Sequence, residues 1–255
     1  RVLCPGGTIC TPLDKRRGPY RSLNRQVGRA LVKYRMIAAG DRILVGLSGG
    51  KDSITLLYTL LERRARSPVA YDILPVHIDL GFEGGCAEAL RERCRQLGVD
   101  LRVETTDYGL RGHSPTNREN PCFLCSRLRR KRLFEIACEL DCHKLALGHT
   151  RDDFIETFFM NICYAGKTST IQPVQPLFQG RLTVIRPLAF VDEAHIRRFV
   201  HRMGFSPFDN PCPSANRSKR AEIKALLQKL YGRNSKVKGN IFRAMSHVRM
   251  NYMLE

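Results

Sequence analysis

The sequence predicts an α/β fold, a parallel sheet with helices on both faces, and two observations carry that prediction. Short apolar runs of strand length occupy residues 43–47, 73–78, 101–103 and 145–147. Around them, apolar residues recur at i, i+3, i+4 and i+7, the spacing of one face of a helix. Strands that alternate with helices need crossover connections, so the strands lie parallel and the helices cover both faces.

In chain order, a helix over residues 23–37 leads into the first strand, and Ile54, Leu57, Tyr58 and Leu61 mark the helix after it. Cys86 and Cys94 fall on a further helix. Leu133, Ile136, Ala137 and Leu140 mark the next, and Ile155, Phe158, Phe159 and Ile162 the one beyond the strand at 145–147. Past residue 166 the pattern changes to a loop with Pro173 and Pro176, then a short strand at 182–185. Helices marked by Ile196, Phe199, Val200 and Met203, and by Ile223, Leu226, Leu227 and Leu230, complete the chain. These shifts divide it into an N-terminal tail (1–19), an α/β domain (20–165) and a small, mainly helical C-terminal extension (166–255).

Charge narrows the function classes. Forty-three Lys and Arg against 24 Asp and Glu leave a net charge of +19. Solvent or a polyanion must accommodate that excess, and nucleic acid is the leading partner class. No stretch approaches the roughly 20 apolar residues needed to cross a bilayer. The first residues lack the apolar core of a secretory signal. A cytoplasmic protein with no membrane contact is expected, and in that setting clustered cysteines point to metal or redox chemistry rather than disulfides.

The strongest motif follows the first strand. Ser48-Gly49-Gly50-Lys51-Asp52-Ser53 joins it directly to an amphipathic helix. The glycines let backbone amides approach phosphate oxygens, the helix N-terminus adds partial positive charge, and Ser48 and Ser53 can donate hydrogen bonds. The Walker pattern does not fit, since Val45 stands where its first glycine belongs and Asp52 where its Ser or Thr belongs. A carboxylate inside a phosphate cradle makes sense as a holder of Mg²⁺. The run resembles the signature of the PP-loop ATP-pyrophosphatase family. That resemblance implies an adenine nucleotide alpha hydrolase-like fold, ATP at the end of the first strand, transfer of AMP to a carbonyl oxygen, and release of pyrophosphate.

Two later segments belong to the same edge of a parallel sheet. Residues 75–81, with His77 and Asp79, end the second strand, and Gly148-His149-Thr150-Arg151-Asp152-Asp153 follows a later one. Both can face the crevice that holds the nucleotide. Gly148, His149, Asp152 and Asp153 resemble the family's second block, in which an aspartate assists Mg–ATP. On that resemblance Lys51, Asp52 and Asp153 are the expected catalytic groups.

Cysteines form the second constellation. Cys122 and Cys125 open the helix that carries Leu133 to Leu140, beside Arg127, Arg129 and Arg130. The helix N-terminus and these arginines favour thiolate there. Alone, this C-x-x-C fits a disulfide, half a zinc site or part of an iron–sulfur site. Cys212, between Pro211 and Pro213, is a third candidate. Three cysteines do not close a structural zinc site, whereas they fit a cubane cluster with one iron left open. Cys138, Cys142 and Cys163 read as buried, inert thiols, and Cys4 and Cys10 as part of the tail.

Together, residues 48–53, the run Cys122 to Arg130, residues 148–153, Ile185-Arg186-Pro187-Leu188 and Cys212 resemble the tRNA 2-thiocytidine synthetase family, from about residue 20 to near the C-terminus. The resemblance implies a 4Fe–4S cluster on Cys122, Cys125 and Cys212, and ATP activation of the 2-carbonyl of an anticodon-loop cytidine. It also implies sulfur from a cysteine desulfurase or other donor, and leaves room for a homodimer. Basic residues of 127–132, with Arg217, Lys219, Arg220, Arg233, Lys236 and Lys238, are expected to hold the RNA. Three readings compete: uridine thiolation by the sister group, an amide- or lysidine-forming ATP pyrophosphatase, and a zinc-containing, non-catalytic RNA-binding protein.

Overall fold

The computed structural model describes residues 18–206, 208, 211–214 and 219–252. Cys4, Cys10 and Arg217 lie outside the described residues.

A leading helix, α1 (Pro19–Lys33), is followed by β1 (Arg42–Leu47), α2 (Lys51–Arg64), β2 (Asp72–Asp79), α3 (Ala87–Gln96) and β3 (Arg102–Thr105). Next come α4 (Tyr108–Gly112), α5 (Pro121–Glu139), β4 (Lys144–Ala146) and α6 (Arg151–Ala165). The chain continues with β5 (Val174–Leu177), β6 (Leu182–Ile185), α7 (Glu193–Arg202), α8 (Lys219–Arg233) and α9 (Val237–Ala244).

The strands form one sheet in the order β3-β2-β1-β4-β6-β5. All pairings are parallel except β5 with β6. Helices cover both faces because the central strands are apolar on both. Ile43, Val45 and Leu47 pack with Leu23, Ile54, Leu57, Leu90 and Phe199 of α1, α2, α3 and α7. Leu44 points the other way, with Val76, Ile78 and Leu145, onto Leu133, Ile136 and Ala137 of α5. Period-two alternation along β1 therefore feeds two cores at once.

Beyond residue 165 the expected strand at 182–185 is β6, and a second strand, β5, joins the same sheet in the stretch where Pro173 and Pro176 suggested a loop. Pro176 opposes Thr183 on an edge strand, where a missing N–H can face the unpaired side. Farther on, Ile223 and Leu227 of α8 bury against Ile155 of α6, so α8 lies across the sheet edge that carries the loops of the site.

Candidate functional site

The strand order reverses between β1 and β4: the chain leaves β1 for β2 on one side and returns to β4 on the other. In an open parallel sheet this switch point leaves a crevice at the C-terminal strand ends. The loops after β1 and β4 meet there. A Cβ on Gly148 would lie 3.1 Å from both the Asp52 carbonyl carbon and the Ser53 nitrogen, so any larger residue would press the β4 loop and the glycine-rich loop apart by a few tenths of an ångström.

Within residues 48–53 the loop is held by its own groups. Gly49 has φ +80°, and a Cβ there would meet Cys86 Sγ at 2.7 Å. The Ser48 amide donates to Ser53 Oγ at 3.2 Å, and that hydroxyl donates to the Gly50 carbonyl at 2.9 Å. In this structure Ser53, expected as a phosphate donor, braces the turn. His77 is buried, with Nδ1 2.9 Å from the Leu47 carbonyl, and so ties β2 to β1 just before the loop. Asp79 Oδ1 accepts from the Gly81 amide at 2.9 Å and shapes the turn that leaves β2.

Lys51 opens α2 and reaches two carboxylates, Asp52 at 3.1 Å and Glu193 of α7 at 3.0 Å. Burial opposes its charge, but Asp52 and Glu193 outweigh burial and keep the ammonium protonated. Glu193 also takes Lys224 of α8 at 2.9 Å. Burial would raise its carboxyl, yet the hydrogen bonds from Lys224 and Lys51 hold it down at about 2. Asp52 is pushed up by burial, relieved by Lys51, and raised again by Asp153 and Glu193. Its Oδ1 is buried with no hydrogen-bond partner among the described residues.

The acids of α6 divide their work. Asp153 Oδ2 accepts from the Thr150 amide at 2.7 Å and its hydroxyl at 2.9 Å, a capping box, while Oδ1 meets Arg220 of α8 at 3.0 Å. Asp152 is buried, accepts from the Glu193 amide at 2.8 Å, and pairs with Lys238 of α9 at 2.6 Å. Glu156, one turn along on the same helix, is raised by burial and by Asp153 to about 7. Lys51, Asp52, Asp153, Glu156, Glu193 and Arg220 line one cavity of about 240 Å³. That volume and its charged walls suit phosphate groups and a cation rather than a whole nucleotide. His149 Nδ1 accepts from Arg186 Nε at 3.3 Å. Desolvation lowers its pKa to about 4, so it stands neutral beside the site.

Asn120 caps α5, its Oδ1 accepting from the Phe123 amide at 3.2 Å. Cys122 is exposed, Cys125 and Cys212 half-buried, and no described cysteine forms a disulfide. A Cβ on Gly112 would stand 3.5 Å from Cys125 Cβ, and the next residue, His113, has Nε2 3.5 Å from Cys212 Sγ, so the fold brings Cys212 to the side of α5 that carries Cys125. Burial pushes the Cys125 thiol up, and Arg129 only partly opposes it. This reverses the expectation that helix end and arginines would favour thiolate there, because desolvation outweighs them. The segment carrying Cys212 also touches the glycine-rich loop: the Phe208 amide donates to the Gly49 carbonyl at 3.3 Å.

Other expectations also change. Cys138 and Cys163 are exposed, not buried; Cys138 follows the buried pair Ile136 and Ala137 and so turns outward, and Cys163 sits where α6 runs into solvent. Cys142 is buried as expected. Among the basic residues, Arg132 binds Glu104, Glu135 and Glu139, and Arg220 and Lys238 bind site carboxylates. Arg129 and Arg130 remain exposed. Sequence reading missed Glu156 and Glu193. The first had a signal, because residues 152, 153 and 156 share a helix face.

A family profile described as a PP-loop domain matches residues 19–230. The curated tRNA-cytidine(32) 2-sulfurtransferase of Geotalea daltonii is 38% identical, covering 92% of this chain and 95% of its own. The chain belongs to this family. A second member, from Geobacter sulfurreducens, is 37% identical over 92% of this chain and 93% of its own. Among solved structures, the U34-tRNA thiolase NcsA from Methanococcus maripaludis, with its [4Fe-4S] cluster, superposes with a TM-score of 0.72 at 23% identity. It covers 91% of this chain, which covers 80% of it; at that identity the likeness shows the fold. PP-loop family membership makes the chain an ATP-binding enzyme, and among the described residues no helix is long and apolar enough to cross a membrane.

Proposed function

We propose that this chain is an ATP-dependent tRNA thiolase that replaces the 2-oxygen of an anticodon-loop cytidine with sulfur. One observation carries the reading. A phosphate loop with Lys51 stands on the same sheet edge as the start of α5 with Cys122 and Cys125, and Phe208 touches that loop while Cys212 lies against His113, next to α4 on α5.

Each part has a task. Oxide is a poor leaving group, so the base oxygen attacks the α-phosphorus of ATP and pyrophosphate departs. Lys51 and the amides opening α2 stabilise charge on the phosphates. Asp52, whose Oδ1 is buried and unpartnered, and Asp153 are the groups suited to hold Mg²⁺, which would neutralise phosphate charge. A sulfur nucleophile, supplied by a cysteine desulfurase or other donor, then adds to C2, and AMP leaves with the original oxygen.

Cys122, Cys125 and Cys212 fit a 4Fe–4S cluster better than zinc. Three thiols leave a closed structural zinc site one ligand short. A cluster takes each thiolate on a different iron, and when bound it supplies iron with an affinity for soft sulfur. Arg129 and Arg130 present the exposed positive face to the RNA in the cytoplasm.

Nucleoside mass spectrometry after anaerobic incubation of tRNA with protein, ATP, Mg²⁺ and sulfide tests the reading. 2-Thiocytidine with AMP is expected, and Lys51→Ala or Asp52→Ala should reduce it by about 10²-fold or more. Thiolated uridine alone, ADP as the main product, or no thionucleoside would overturn it.

A further inference from the structure

His113 belongs to no motif above, yet the fold carries it to the third thiol. It directly follows α4, its amide bonded to the Gly109 carbonyl at 3.2 Å and that of Leu110 at 3.1 Å. α4 is seated on the helix of the C-x-x-C: a Cβ on Gly112 would stand 3.0 Å from the Pro121 carbonyl oxygen and 3.5 Å from Cys125 Cβ. The imidazole lies edge-on to Phe82, with ring centroids 5.8 Å apart. Its Nε2 is 3.5 Å from Cys212 Sγ and 3.5 Å from Ser214 Oγ.

We propose that His113 is a positioning residue of the cysteine site, donating its Nε2–H to the Cys212 sulfur. This rests on the reading of Cys212 as a cluster ligand. The alternative, a fourth ligand, does not suit the geometry. Ligands on separate irons of a cubane stand well beyond hydrogen-bond distance of each other. A separation of 3.5 Å is that of an N–H···S contact. Such a contact does two things: it holds the irregular segment 211–214 in reach of α5, and it withdraws electron density from the sulfur. Hydrogen bonds to cluster sulfurs set reduction potential, and withdrawal favours the reduced form.

The test compares wild type, His113→Phe and His113→Gln after anaerobic reconstitution, measuring iron per chain and midpoint potential by EPR-monitored titration. The phenylalanine keeps the ring against Phe82 and removes the donor. It should retain the cluster with a more negative midpoint. The glutamine, whose amide reaches the same place, should restore most of that shift. An unshifted midpoint in His113→Phe, or a glutamine no better than phenylalanine, overturns the inference. If phenylalanine loses all iron, wild-type iron in His113→Gln still supports a donor, and loss in both overturns it in favour of a ligand. Full iron in Cys212→Ala would instead overturn the ligand reading beneath, independently of any His113 result.

Discussion

At the scale of single residues, the site singles out an aromatic that no pattern marked. Phe123 stands between Cys122 and Cys125, is 57% exposed, and carries Arg127 over its ring at 5.4 Å. An exposed ring beside the thiols offers a face on which a splayed base can stack, and base–aromatic stacking is worth about 1–3 kcal/mol. Phe123→Ala should therefore weaken tRNA binding by roughly 5- to 150-fold in a filter-binding titration with iron content unchanged; equal affinity would exclude that stacking. Glu156 supports a different experiment. Its carboxyl titrates near 7 in the folded chain against the ordinary 4.5, so between those values the native state holds a proton that the unfolded state has lost. Its contribution to stability is full below pH 4.5 and is lost as pH rises through 7, an amount of the order of 3 kcal/mol. Glu156→Gln should flatten that part of the stability–pH curve measured by urea unfolding, and an unchanged slope would refute the shift.

At the scale of elements, α8 connects charge to packing. One face buries Ile223 and Leu227 against α6; another directs Arg220 to Asp153 and Lys224 to Glu193. The two contributions separate by mutation. Arg220 and Lys224 are each nearly half exposed, so their ion pairs add at most about 1 kcal/mol each to stability. Their charges nevertheless line the same cavity as Lys51 and Asp52. The double change Arg220→Met, Lys224→Met should raise the Kd for Mg–ATP by about tenfold or more, roughly 1.4 kcal/mol, with little change in Tm. Ile223→Ala should lower Tm, because losing a buried aliphatic side chain costs about 2–5 kcal/mol. Calorimetric titration and thermal melts distinguish the outcomes, and undiminished Mg–ATP affinity in the double variant would exclude α8 from the nucleotide site.

At the scale of the whole molecule, net charge governs RNA association. A surface of +19 that neutralises phosphates releases counterions, so log affinity for tRNA should fall linearly with log salt. Arg129→Glu with Arg130→Glu should weaken binding and flatten that slope while leaving Mg–ATP affinity intact, provided iron content holds. A slope identical to wild type would move the RNA face elsewhere. Charge attracts any RNA; discrimination must come from loop shape and the exposed base edge.

Much of this was legible in the chain because it depends on local repetition. The alternation of apolar runs with helical spacing dictates a parallel α/β sheet, and Ser48 to Ser53 between strand and helix dictates an anion site, since both follow from steric and hydrogen-bonding rules that act within a few residues. The cysteine pair at the start of α5 was readable for the same reason. Long-range pairing decided the rest. β5 was hidden because Pro173 and Pro176 punctuate the chain as a loop would, and only pairing with β6 reveals the strand. Glu193, 142 residues from Lys51 in sequence, reaches it only because β6 ends beside β4, and Arg220 reaches Asp153 only because Ile223 and Leu227 dock α8 on α6. Cys212 meets His113, 99 residues away in sequence, only in the folded chain. Ionisation was decided at the same level: helix dipole and arginines favour a Cys125 thiolate, but desolvation by the folded surroundings outweighs them, and burial depth is a property that no short stretch of sequence contains.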